Sequence, residues 1–123
     1  KYYFDKNRTE TFKLIKQSYE MNIDSNEYNI TLKYALMLLN GDGCLKNPKL
    51  AAQVLSNKEN KVINDEIVLG ISLIRDNEYE KGIDILKEAA EFGDRQSKKI
   101  YGFYLLYPFD SIEQHVWFYS NTM

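Results

Sequence analysis

Apolar residues recur along this chain every three or four positions in short runs, and glycine, asparagine, aspartate or proline closes each run. Residues 9–21 set Phe12, Leu14, Ile15, Tyr19 and Met21 among Lys, Gln and Glu, which predicts an amphipathic helix with Thr9 as its cap. Ile23 to Asn29 holds Asp24, Ser25 and Asn26, whose side chains compete with helix hydrogen bonding, so a connector is expected there. From Glu27 to Leu39 the set Ile30, Tyr34, Ala35 and Leu38 forms one stripe and predicts a second helix, ended by Gly41-Asp42-Gly43.

Asn47-Pro48 predicts a restart, with Asn as N-cap and Pro at the first helical position, and Leu50, Ala51, Val54 and Leu55 form the stripe of this third helix. Asn57 to Lys61 breaks it. Asn64 or Asp65 is expected to cap a fourth helix carrying Ile67, Leu69, Gly70, Leu73 and Ile74, with a turn at Asp76-Asn77. Tyr79 to Phe92 reads as a fifth helix closed by Gly93-Asp94, and Ser97 to Tyr107 as a sixth before Pro108. A last helix is expected from Asp110 or Ser111, with Ile112, Val116, Trp117 and Tyr119. Seven short helices with no strand-like alternation predict an all-α fold of stacked helix hairpins.

Composition narrows the function. The 123 residues suit one compact domain or a short run of repeats, and 44% apolar residues suffice for a core. Sixteen basic against eighteen acidic residues leave a net charge of -2, which is no footprint for a nucleic-acid backbone or an anionic membrane. No apolar run approaches the roughly 20 residues that span a bilayer, so no membrane insertion is expected. One cysteine, Cys44, and one histidine, His115, exclude an internal disulfide and a zinc cluster, and no cofactor is expected. The sequons Asn7-Arg8-Thr9 and Asn29-Ile30-Thr31 matter only in a secretory compartment. The compartment stays open, with the cytoplasm favoured.

A large residue followed by a small one recurs as Tyr34-Ala35, Leu69-Gly70 and Tyr101-Gly102, spaced 35 and 32 apart, while Leu14, Val54, Ile85 and Trp117 recur at 40, 31 and 32. These residues resemble the Sel1-like repeats, relatives of the tetratricopeptide repeat. Tyr34-Ala35, Leu38, Gly41-Asp42-Gly43-Cys44 and Asn47 through Ala51 are similar to the first-helix end, turn and second-helix start of one repeat. Leu69-Gly70, Leu73, Lys81-Gly82 and Glu88-Ala89-Ala90-Glu91-Phe92-Gly93 resemble the next, although its turn, Arg75 to Glu78, lacks both glycines. Tyr101-Gly102 and Leu105 open a third, in which Trp117-Phe118 stands where the family carries an aromatic pair. The resemblance implies an α/α superhelix, a solenoid of about three degenerate repeats at residues 27–62, 64–93 and 94–123, preceded by the second helix of a truncated repeat at 9–22. Small Ala35, Gly70 and Gly102 on the first helices, and Ala51, Gly82, Ala89 and Ala90 on their partners, are expected to let paired helices approach closely.

No catalytic constellation follows from the titratable residues, and the chain is not expected to be an enzyme. Gly41-Asp42-Gly43 has neither a following Gly-Lys-Ser/Thr nor a preceding strand and reads as a turn rather than a phosphate loop. Cys44 has no base or cation beside it in sequence and is expected to be a buried structural thiol. Glu88 with Glu91, and Asp110 with Glu113, stand one helical turn apart, a spacing routine on solvated faces. The resemblance implies a scaffold or adaptor whose first helices line a concave face for a protein or peptide partner, with membership of a larger multi-protein assembly left open. Counting from each large-small pair, that face takes Lys33, Met37 and Asn40, then Val68, Ser72 and Arg75, then Ile100, Tyr104 and Tyr107. Val68 and Ile100 are equally well read as buried between repeats. Two other readings stand beside the scaffold: a secreted ligand binder or hydrolase of β-lactam-binding type, which the missing cysteine pairs disfavour, and a purely structural segment of a larger polypeptide.

Overall fold

Each helix begins and ends where side-chain chemistry makes it do so. The computed structural model describes residues 2–21, 29–92 and 95–106. Six α-helices and no strand occur among them: α1 (Tyr2–Glu20), α2 (Ile30–Asn40), α3 (Pro48–Ser56), α4 (Ile63–Arg75), α5 (Tyr79–Glu91) and α6 (Arg95–Leu106). The expected all-α class holds. The connector before Asn29, the Gly93-Asp94 stop and the last helix lie outside the described residues, as do His115, Asp110 and Glu113.

Helix starts differ from the sequence expectation at four places, one of them α6, which begins at Arg95 rather than Ser97. α1 runs from Tyr2, so Thr9 lies mid-helix and caps nothing; no glycine or proline stands in Tyr2 to Arg8 to stop the helix. α2 starts at Ile30 rather than Glu27, because Asn29 takes left-handed backbone angles (φ 46°, ψ 62°) and its Oδ1 accepts from the Leu32 N–H at 3.2 Å. α4 starts after Val62, so neither Asn64 nor Asp65 is the N-cap. Asp65 reaches back from the first turn, its Oδ2 accepting from the Val62 N–H at 2.9 Å, one half of a capping box. α3 starts as expected, with Asn47 Oδ1 accepting from the Leu50 N–H at 3.1 Å and Pro48 in the first turn.

The chain divides into two compact units, Lys1–Asn60 and Lys61–Met123. In the first unit α2 packs against both α1 and α3. The Arg8–Asp42 ion pair and the rings of Phe12 and Tyr19 against Tyr34, with centroids 5.8 Å and 4.8 Å apart, make α1 and α2 antiparallel. Hydrogen bonds from Asn47 N to Leu38 O and from Lys58 Nζ to Asn29 Oδ1 do the same for α2 and α3. Of the predicted stripes, Tyr34, Ala35, Leu38, Ala51, Val54 and Leu55 are buried and Ile30 and Leu50 half-buried, and Met37 and Leu39 are buried too, because α2 is apolar nearly all round. Of the stripe predicted over residues 9–21, Leu14 and Met21 are mostly exposed.

In the second unit α5 packs against α4 and α6. Ile67, Leu69, Ile74, Leu86, Ala89 and Ala90 form its core, together with Val68, Ile71, Ile100 and Tyr104. The α4–α5 hairpin turns at Asn77, whose φ of 65° is left-handed, a conformation asparagine tolerates better than other residues with a β-carbon. Its helices cross at two glycines. A β-carbon built on Gly70 would lie 2.8 Å from Leu86 Cγ and 3.1 Å from Gly82 O, so the close approach expected of these small residues is present. Gly102 differs: it is exposed, and among the described residues nothing lies within 4 Å of where its β-carbon would be. The helix expected to pair with it, from Asp110 or Ser111, lies outside the described residues.

Candidate functional site

The residues expected to line a concave face separate into core and surface. Lys33 and Asn40 are exposed on α2, and Arg75 is half-buried at the end of α4. Met37, Ser72 and Tyr104 are buried, at 6%, 0% and 1% exposure. These three are corrections: their side chains belong to the core and offer a partner nothing. Ser72 Oγ donates to the Val68 carbonyl at 2.8 Å, the back-bond that lets a hydroxyl sit inside a buried helix. Tyr104 receives the Tyr79 hydroxyl at its carbonyl oxygen, 3.3 Å away. Burial pushes its phenol well above the ordinary tyrosine value, and the Arg75 guanidinium pulls the other way, so the structure does bring Arg75 and Tyr104 together. Val68 and Ile100 are buried, at 0% and 2%, which decides their open reading. Tyr107 lies outside the described residues.

The counting failed for one physical reason. It assumed a narrow apolar stripe with ligand-facing residues to either side, whereas α4 is buried at eight of its positions and α2 at six. A helix apolar on every side has no free flank.

The Gly41 to Cys44 turn is structural. Gly41 (φ 69°) caps α2, its N–H donating to Met37 O, and Gly43 (φ 77°) packs so closely on α1 that a β-carbon would strike the Arg8 carbonyl oxygen. Arg8 Nη1 meets Asp42 Oδ2 at 3.2 Å across the same contact. The Cys44 thiol donates to Met37 O at 3.4 Å, and burial, with Asp42 adding to it, pushes its pKa up. A thiol held neutral is a poor nucleophile. The Asn29 sequon is likewise engaged, since Asn29 Oδ1 takes both the Leu32 N–H and, at 2.9 Å, Lys58 Nζ. Asn7 is exposed. Among the described residues no group of three or more His, Cys, Asp or Glu side chains is arranged to hold a metal ion, and no helix is long and apolar enough to cross a membrane.

One concavity escaped the sequence reading. In the second unit a groove of about 190 Å³ lies between the start of α4 and the end of α5, lined by Lys61, Val62, Ile63, Glu66, Glu88, Ala89 and Phe92. Burial raises the pKa of Glu66, Glu88 and Asp65 raise it further, and Lys61 lowers it. Its sequence signals were the exposed Phe92 just past α5 and the carboxylates in that helix's last turn.

No protein-family model matches this chain, and no curated protein or solved structure is similar enough to count as a match.

Proposed function

We propose that this chain is a segment of a Sel1-like α/α solenoid and serves as a non-catalytic scaffold for a protein partner. The observation that carries this reading is the glycine crossing of α4 and α5. Gly70 and Gly82 stand at the positions that the repeat resemblance reserves for small residues, and both are buried against the opposite helix. Ala35, Ala51, Ala89 and Ala90 are buried as well, as nested hairpins require. The raised thiol of Cys44 favours a structural role for the one cysteine.

The partner-facing residues of this reading are Lys33, Asn40 and Arg75, which keep exposed or half-exposed side chains. The test is a quantitative capture experiment comparing the wild-type chain with the triple variant K33E/N40A/R75E in extract from the source cells. A partner retained by the wild type and lost by an equally stable variant supports the reading. An identical set of captured proteins rejects these three residues as partner contacts. Small-angle scattering tests the architecture separately: a superhelix scatters as an elongated particle, and a closed globule of 123 residues, with a radius of gyration near ~14 Å, would overturn it.

A further inference from the structure

The lining of the α4–α5 groove holds two carboxylates, Glu66 and Glu88, against one cation, Lys61. Glu88 and Glu91 occupy the end of α5, and no basic residue stands in that last turn, although the carbonyl end of a helix favours cations and disfavours carboxylates. Glu66 adds a second carboxylate to the groove from α4, and Lys61 is the one cation among the lining residues. Desolvation, then Glu88 and Asp65, hold Glu66 above the ordinary glutamate value despite Lys61. The site is short of positive charge.

Its remaining wall is apolar. Val62, Ile63, Ala89 and Phe92 complete the lining, and Phe92 is 79% exposed and Val62 50%. The volume of about 190 Å³ falls below the roughly 300 Å³ at which small-molecule pockets begin. It suits a single inserted side chain. A cation is needed beside two carboxylates, an aromatic ring is on offer, and an aliphatic wall leads to both. Arginine meets all three needs at once: its stem covers apolar surface, its planar guanidinium stacks on an aromatic ring, and its fork of donors fits a carboxylate.

We propose that this groove is a docking site for one arginine side chain of a partner protein, with Glu66 and Glu88 receiving the guanidinium and Phe92 stacking on it. The proposal rests on the interaction reading above, but it uses a surface separate from Lys33, Asn40 and Arg75.

The test is an NMR titration of the whole chain with the capped pentapeptide Gly-Gly-Arg-Gly-Gly and with its lysine and citrulline counterparts. Saturable shifts at Lys61–Glu66 and Glu88–Phe92 are expected with the arginine peptide, binding about threefold or more weaker with lysine, and none with the uncharged citrulline. E88Q and F92A, both at exposed positions, should each weaken the arginine peptide about fivefold or more without lowering the melting temperature. Equal shifts from the citrulline peptide, equal affinity for the lysine peptide, or unchanged binding in E88Q overturns the assignment. The two surfaces fail separately. If the arginine peptide does not bind while K33E/N40A/R75E still loses its partner, only the groove falls; if the peptide binds and the triple variant captures normally, only the first-helix face falls.

Discussion

A β-carbon placed on Gly82 would stand 2.5 Å from the carbonyl oxygen of Gly70 and 2.6 Å from Ile74 Cγ1. The α4–α5 hairpin is therefore set by backbone touching side chain and backbone, and its spacing has no slack at this point. Gly82→Ala should destabilise the protein by about 2 kcal/mol, overpacking outweighing the gain of about 1 kcal/mol in helix propensity. At Gly70 the nearest obstacles are Cγ and Cδ2 of the fully buried Leu86, at 2.8 Å and 2.9 Å, and the backbone oxygen of Gly82 stands further off at 3.1 Å, so Gly70→Ala should cost about 1 kcal/mol or more. Gly102→Ala meets nothing among the described residues and should add up to about 1 kcal/mol. Urea unfolding of the three variants checks the order; a Gly82→Ala protein as stable as Gly102→Ala would remove the crossing from the account.

The turn after α2 offers a contrast between backbone and charge. Gly43→Ala combines a left-handed φ of 77° with a clash at the Arg8 carbonyl, so it should cost about 2 kcal/mol or more and loosen α1 first. Hydrogen exchange along α1 would register that. The Arg8–Asp42 pair spans the same contact with side chains 59% and 36% exposed. A double-mutant cycle on it should give a coupling below about 1 kcal/mol.

Asp65 is fully buried, with its carboxylate accepting from the Val62 N–H. Asp65→Ala leaves that donor without its acceptor and should cost about 2 kcal/mol, against about 1 kcal/mol for the exposed cap lost in Asn47→Ala. Asp65→Asn keeps an acceptor and should fall between Asp65→Ala and the wild type. Thermal unfolding of the three variants tests the ranking.

Glu66 ties stability to pH. Its folded-state pKa is raised by burial above the ordinary 4.5, so between that value and the raised one the folded state holds more protons than the unfolded chain. Stability then falls as pH rises through that window. Glu66→Gln should flatten the dependence of the melting temperature on pH just above 4.5 and should raise it at neutral pH. At the alkaline end burial raises Tyr34 and Tyr104 above the ordinary 10.0, with Glu20, Tyr19 and Cys44 adding to the effect at Tyr34. By the same sign, stability drops as pH climbs above that value, and the tyrosinate absorbance of Tyr34 and Tyr104, read as the part lost in Tyr34→Phe and Tyr104→Phe, should appear together with unfolding rather than before it. A melting temperature in Glu66→Gln that tracks the wild type at every pH would contradict the acid-side assignment.

Much of the local architecture could be read directly from residues. Asn47-Pro48, Gly41 and the Asp76-Asn77 turn act within a few positions of themselves, through a cap bond, a left-handed φ or a missing donor, and each stands where its chemistry requires. Asn29 was less legible, because its role is to adopt a left-handed conformation itself rather than to extend the stripe that follows. The candidate surface was legible only in part. Lys33 and Asn40 stayed on the surface because lysine and asparagine are costly to bury, whereas Met37, Ser72 and Tyr104 went inside. Serine hid its hydroxyl on its own helix, and methionine and tyrosine followed the apolar bulk of their neighbours.

The sequence by itself determined that this chain is helical, where most of its helices stop, and which small residues belong at a helix crossing, since periodicity, caps and side-chain volume are local properties. Only the tertiary structure decided that Gly70 and Gly82 touch, that Asp65 turns back to Val62, and that Glu66, Glu88 and Phe92 gather around one groove. Those outcomes depend on which residues far apart in the chain become neighbours, and burial and electrostatic coupling exist only once they do.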